Sequence, residues 1–437
     1  METSINRKTP FQSPQSPFIK GGNKEGFSNY PRRRTPLGFL PWAISLILAF
    51  LGSISLPSLA AALQDIVIGE INPLTGRFAA QGVALHEGIS YAVGEANRLL
   101  VQKGVKVVII SRDDESKPER AVAAAEELVT RAKAVALVGG YVDSLVGPIS
   151  EVAERNRIPY VAAASLDERL TKRGYRYFFR VSSLEGYVKA TTEFLSDVLK
   201  VKNIAILYSD TPGATQLAQR QMEVLERRGV KVSVFQAFRS GISDFTPLLI
   251  KVREAGTEVV LSNAFFADHL LMVRQLQEHR IYLKGFLGTF GMEFPEIIKR
   301  LEKASEYLFG TTSWEPEITM PGTEEVSRTF VEGFKAQFGK EPDPLAMHGY
   351  TAARAILVAV ESLIEKKIPL NGPNLRDELS KIDLLLPLER LKFDPNGDPL
   401  NYERVIIQIQ GGKHVPVYPQ ERARGRALYP MPSWERR

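Results

Sequence analysis

The 437-residue chain has no cysteine. That excludes disulfides, thiolate metal sites and cysteine nucleophiles, and it excludes a lipid-modified amino-terminal cysteine, while leaving the redox compartment open. Catalytic motifs are missing as well. There is no GxxxxGK[ST] phosphate loop, no GxSxG elbow and no HExxH pair, and His86 in "HEG" lacks the second histidine that a helix-borne zinc site needs. The five histidines, His86, His269, His279, His348 and His414, are scattered and read as surface or capped residues. Without a nucleophile and base constellation an enzyme is not expected.

Charge is unevenly distributed. The net charge is +6, yet residues 1–34 carry +5 and residues 420–437 carry +3, which leaves residues 35–419 at −2. The body is therefore not expected to bind nucleic acid. From Thr35 to Gln64 no residue is charged, and "LGFLPWAISLILAFLGSISLPSLAAAL" follows directly on Arg32, Arg33 and Arg34. A basic stretch, an apolar stretch and then small residues (Ser58/Ala60 or Ala60/Ala62) form an export signal. The competing expectation is an uncleaved anchor, because about 20 apolar residues span a bilayer. The preceding "QSPQSPFIKGGNKEG" lacks apolar periodicity, cannot build a core and looks like a translated intergenic repeat, which places the expected start nearer Leu37. Residues 1–63 thus read as a disordered basic leader plus signal or membrane segment, and 420–437 as an Arg-rich tail.

From Ile66 onward, short β-branched runs alternate with segments of helical periodicity. This predicts an α/β fold of two doubly wound parallel-sheet lobes, since the strands are too many for one sheet. Strands are expected at "IVIGEI" (66), "VKVVIIS" (105), "VALVG" (135), "PYVAA" (159), "NIAILYS" (203), "VKVSVFQ" (230), "EVVLS" (258), "KGFLG" (284), "YLFGTT" (307) and "RVIIQIQ" (404). Between the second and third, Ala121, Val122, Ala125, Leu128, Val129 and Ala132 share a helix face, with Ser116 as cap and Pro118 in the first turn. The lobes divide near Ser182–Gly186.

Function in such folds sits at the carboxyl ends of strands. There the sequence repeatedly places small and hydroxyl residues: Tyr141, Asp143 and Ser144 in "LVGGYVDSLVGP"; Ala164, Ser165 and Leu166 in "YVAAASLD"; Asn263, Phe265 and Phe266 in "LSNAFFAD"; Thr289, Phe290 and Glu293 in "FLGTFGMEF". Facing lobes would make of these loops a pocket of few polar groups amid aromatic area. Asp113, Asp114 and Glu115 read as carboxylates at a helix amino terminus rather than a cation site. Gly139 and Gly140 read as a tight turn or close backbone approach.

The motif order resembles the periplasmic solute-binding proteins of the leucine/isoleucine/valine-binding type, receptors of ABC importers. It is carried by "INPLTGRFAAQG", "RDDESKPERAVAAAEELV", "GGYVDSLVGPISEVAERNRIPYVAAAS", "LTKRGYRYFFR", "DFTPLLIKVREAGTEVV", "FKAQFGKEPDPLAMHGYTAARA" and "FDPNGDPLNYERVIIQIQGGKHVPV". The resemblance implies two lobes, 64–183 plus 312–387 and 184–311 plus 388–419, with hinge crossings near 184, 311 and 388. It implies closure on a small-molecule ligand, docking on a membrane permease, a monomer, and no cofactor or metal. Gln81 joins the implied ligand set. The family's carboxylate-binding Ser and Thr positions fall on Asp143, beside Ser144, and on Leu166, beside Ser165. Its ammonium-binding acid falls on Phe290, three residues before Glu293, and its loop tyrosine on Gly213; Phe265 and Phe266 match its aromatics. Two explanations stay open. Either Ser144, Ser165 and Glu293 take over the contacts of an amino acid, or the ligand is an amide, amine or aromatic compound, with Asp143 accepting hydrogen bonds and Phe290 stacking. A ligand-sensing protein of the same fold is the alternative function.

Overall fold

The computed structural model describes residues 63–239 and 241–436. The basic leader and nearly all of the charge-free export segment lie outside the described residues. Among the described residues no helix is long and apolar enough to cross a membrane.

The first sheet has the order β2-β1-β3-β4-β5, all parallel, built from β1 (Gln64–Asn72), β2 (Val105–Asp113), β3 (Ala136–Tyr141), β4 (Tyr160–Ala164) and β5 (Phe178–Arg180). Parallel strands buried on both faces need continuous apolar runs, and β3 is buried along its whole length. On one face Ile66, Ile68, Val138 and Val161 pack with Leu85 and Ile89 of α1 (Ala79–Leu100). On the other, Leu137, Tyr160 and Ala162 pack with Ala121, Ala125 and Leu128 of α2 (Pro118–Thr130) and with Val146 and Ile149 of α3 (Asp143–Asn156). The expected α2 face is therefore the buried one, although Ala132 lies past the helix end. Its cap differs from expectation: Lys117 precedes the first turn, and the Ser116 hydroxyl instead accepts from Phe78 N–H and donates to the Thr75 carbonyl.

After β5 the chain passes to a second sheet through α4 (Leu184–Glu193). It then runs β6 (Asn203–Ser209), α5 (Pro212–Arg227), β7 (Lys231–Phe238), α6 (Thr246–Glu254), β8 (Val259–Asn263), α7 (Phe266–Glu278), β9 (Gly285–Gly288), α8 (Pro295–Leu301) and β10 (Phe309–Thr312). It returns to the first lobe with α9 (Glu324–Phe338), α10 (Pro344–Glu365), α11 (Gly372–Leu379) and the hairpin β11 (Asp383–Leu385)–β12 (Arg390–Lys392). Finally β13 (Val405–Gln410) and β14 (Lys413–Tyr418) add antiparallel strands, giving the order β14-β13-β10-β9-β8-β6-β7. Every strand expected from the sequence is present. The short β5, the hairpin and the edge strand β14, which carries Pro416, were not anticipated.

Near position 388 a crossing was expected, but there the chain is still on the first lobe. Phe393 packs on Phe179 with ring centroids 5.0 Å apart, and Asp398 pairs with Arg180 of β5 at 2.5 Å and accepts from the Thr171 hydroxyl. The passage to β13 follows Asp398. The Arg-rich segment beyond Pro419 is also docked: Leu428 exchanges hydrogen bonds with the Gln408 amide, Met431 is buried, and the Trp434 indole N–H donates to the Ile281 carbonyl.

In each sheet one strand has its sequence neighbours on opposite sides, β1 between β2 and β3, β6 between β7 and β8. Loops leaving the carboxyl ends at such points diverge and open a crevice. The loops after β3, β4, β6, β8 and β9 all reach one cleft.

Candidate functional site

The first-sheet wall begins with a turn that few residues tolerate. Gly139 and Gly140 have φ of 103° and 89°, and a Cβ on Gly140 would strike the Tyr160 hydroxyl, so both the left-handed backbone and the close approach require glycine. Val142 follows at φ 62°, a conformation that costs a β-branched residue about 1–3 kcal/mol. The result is that α3 starts with Asp143 turned into the cleft. Its Oδ1 accepts from the backbone N–H of Leu166 and of Asp167, both at 2.7 Å. Arg180, buried, holds that loop by donating to the Ser165 and Asp167 carbonyls, and the Ser182 hydroxyl donates to the Ser165 carbonyl at 2.9 Å. Burial pushes the Asp143 carboxyl up, against the two N–H groups and the charge of Arg180.

The second-sheet wall is aromatic. Phe265 and Phe290 stack with centroids 5.6 Å apart and ring planes 28° apart, and Tyr187 meets Phe290 edge-on at 5.3 Å. Glu293 accepts from Gly291 N–H at 2.7 Å, and burial, with Glu315 and Asp343 adding repulsion, pushes its carboxyl up to about 8. At neutral pH it is a neutral acid, able to donate. Arg404 lies over the rings of Tyr187 (3.9 Å) and Tyr402 (5.1 Å).

The walls touch. A Cβ on Gly213, at the start of α5, would run into the Asp143 carboxylate, Glu168 N–H donates to the Gln216 side chain at 2.8 Å, and Arg77 reaches Asp268 at 3.9 Å while covering Phe265. Between them lies about 630 Å³ of empty space, open mouth included.

Of the residues expected from sequence, Tyr141, Asp143, Ala164, Ser165, Leu166, Phe265, Phe290 and Glu293 line this cleft. Four do not. Gln81 is buried within α1; Ser144 is exposed one residue past Asp143; Phe266 tilts against Phe294; and Thr289 is spent on the Ser262 carbonyl. Ser144, expected as a carboxylate contact, is not among the residues that line this cleft. Arg404, His348, Ser182, Tyr187 and Leu345 line the cleft without having been expected. His348 corrects the surface reading of the histidines: it is buried, bonded to the Ala163 carbonyl and the Ser313 hydroxyl, and burial lowers it to about 4, so the ring is neutral. His269 is likewise buried and lowered to about 4.

At the acidic cluster, Asp113 accepts from the N–H groups of Leu74, Thr75 and Glu115 and from the Thr75 hydroxyl, while Asp114 accepts from Ser116 N–H. These carboxylates organise the turn before α2. Among the described residues no group of three His, Asp or Glu side chains is arranged to hold a metal ion.

Residues 65–413 match the family model for periplasmic binding proteins. An amino acid binding protein of Pseudomonas aeruginosa is 29% identical over 304 residues, 68% of this chain and 79% of its own. Leu/Ile/Val-binding protein homolog 8 of Brucella suis is 26% identical over 408 residues, 86% of this chain and 96% of its own. A solved leucine binding protein from Thermotoga maritima has a TM-score of 0.73 at 24% identity, covering 81% of this chain and 98% of its own. The branched-chain amino acid transporter substrate binding protein of Streptococcus pneumoniae, in complex with isoleucine, has a TM-score of 0.72 at 19% identity, covering 82% and 100%. Two wound sheets facing each other across a cleft, under a family match that spans most of the sequence, lead to one conclusion: the chain belongs to the periplasmic binding protein family.

Proposed function

We propose that the protein is an extracytoplasmic receptor of an ABC importer, exported by the segment around 35–64, that closes its lobes on a small molecule and hands it to a membrane permease. The observation that carries this reading is a cleft walled from both sheets by loops at strand carboxyl ends, with aromatic area on one side and a few buried polar groups. Such a cleft exists only while the lobes are together, so a ligand that touches both walls favours the closed form by its differential contacts. Residues 64–183 with 312–398 form one lobe and residues 184–311 with 405–436 the other, hinged near 183, 312 and between 398 and 405. Amino acid binding, suggested by the relatives' names, meets an obstacle here: Asp143 already fills the N–H groups of Leu166 and Asp167.

The test is a thermal-shift and small-angle X-ray scattering screen of the exported protein with branched-chain amino acids, their amides, aromatic acids and amines. At 100 times its Kd a true ligand adds about 2.7 kcal/mol of stability, so a rise in Tm of a few degrees with saturable compaction is expected. A screen in which no solute shifts Tm or compacts the protein overturns the reading.

A further inference from the structure

Arg404 sits just before β13 and is 6% exposed, yet no described residue forms an ion pair or hydrogen bond with its guanidinium. Its Nε is buried and unpartnered, and only the rings of Tyr187 and Tyr402 lie against it. Burial alone pulls it well below the usual arginine range, and the one group whose charge counters that is Tyr141. A buried cation without an anion is costly, because the desolvation exceeds what cation–π contact returns. A charge left in this state inside a cleft is held for a partner that is not part of the chain.

The other polar groups of the cleft narrow what that partner is. Ser165 Oγ is a second buried group without a bond, and it lines the same space. Asp143 spends Oδ1 on two N–H groups and Glu293 accepts from Gly291 N–H, so both carboxyls have partners within the chain, whereas the Arg404 guanidinium has none. Around the unpartnered guanidinium the cleft offers a set of rings: Tyr141, Tyr187, Phe265 and Phe290, with Phe78 behind them, edge-on to Tyr141 and Phe265. Resting on the reading of this cleft as the ligand site, we propose that the receptor takes an aromatic monocarboxylate, with its carboxylate on Arg404 and its ring against Phe265 and Phe290. The anion seat thereby lies just before β13, apart from the position that Asp143 and Leu166 occupy.

Isothermal titration of the exported protein with benzoate, 4-hydroxybenzoate and phenylacetate, with their primary amides, and with leucine and phenylalanine tests this. At least one carboxylate should bind, with its amide weaker by on the order of 100-fold, since the amide leaves the buried charge unpaired. Arg404→Met should lose carboxylate binding by a similar factor while raising the Tm of the ligand-free protein, because it removes an unpaired buried charge; Arg404→Lys should retain part of the affinity. A purely structural arginine would do the reverse, lowering Tm in the Met variant and leaving affinity intact, and that outcome overturns the proposal. So does binding of an amide or amino acid that is unaffected by Arg404→Met, although the receptor reading then stands. Absence of binding by all three carboxylates also overturns it, and the broader solute screen then decides whether the receptor reading fails as well.

Discussion

On the first-sheet wall Asp143 offers a carboxylate oxygen at 2.7 Å to both Leu166 and Asp167 N–H, whereas on the second-sheet wall Arg404 has two aromatic rings and no anion. Both are charged groups buried at one cleft. The difference is that the first is completed by the chain's own backbone and the second is not, so the first fixes the shape of the closed site while the second is available to select what enters it. A free α-amino acid needs both of its charges paired when buried. Here its carboxylate would find the N–H groups of the first wall taken.

The largest effect is expected from undoing the completed wall. Asp143→Ala leaves two buried N–H groups without an acceptor, at about 1–3 kcal/mol each, so urea unfolding should show a loss of about 4 kcal/mol. Asp143→Asn keeps an oxygen in the Oδ1 position, to which both N–H groups donate, and should stay within about 1 kcal/mol of the parent. Equal losses in the two variants would mean that the negative charge near Arg180, and not acceptance by Oδ1, is what the wall requires.

A smaller effect sharpens the second wall. Glu293 is buried with its carboxyl raised to about 8 from an ordinary 4.5. Below the unfolded value the folded and unfolded states are both protonated and the group is neutral to stability. As pH rises from about 4.5 to about 8 the unfolded state releases the proton while the folded state keeps it, so stability falls through that window and levels off above it. Glu293→Gln removes this slope: its stability should equal the parent's near pH 4.5 and exceed it progressively as pH rises to 8, measured by unfolding of the ligand-free protein. A difference that does not vary with pH would show that Glu293 is ionised in the folded protein and therefore available to an ammonium.

How far the sequence revealed this contrast depends on where each group gets its partners. Strands such as Asn203–Ser209 and Val259–Asn263 were legible because parallel strands buried on both faces must be apolar throughout. Edge strand β14 was not, since its burial is one-sided and it contains Pro416. Nor was the docking of Met431 and Trp434, two isolated apolar residues that follow the arginines at 422, 424 and 426 and show no strand or helix periodicity. Asp143 was legible as a departure from the amino-acid-binding pattern, but its two N–H partners, 23 and 24 residues away, are set by tertiary contact. Arg404 carried no signal: in "NYERV" it reads as an ordinary charge at a strand start, and only the burial around Tyr187 and Tyr402 makes it exceptional.

Gly213 tests whether the two walls must meet at the distance observed. Across the cleft its missing side chain is what lets the Asp143 carboxylate and Leu166 Cβ approach the start of α5, the position where the resemblance expects a tyrosine. A methyl there points at the carboxylate in the closed form and at open space once the lobes separate, so Gly213→Ala should act on closure rather than on either lobe. The replacement is at the second residue of a 16-residue helix, where alanine is a better helix former than glycine, so the stability of the lobe itself should not fall. Ligand affinity should drop about 10-fold, equivalent to about 1.4 kcal/mol of closed-state destabilisation, with an unchanged or slightly higher Tm of the ligand-free protein. Scattering should show the variant requiring more ligand to reach the same compact form. Unchanged affinity would mean that the Asp143 wall yields to the methyl by local adjustment, and the first wall would then be less rigid than its two short hydrogen bonds imply.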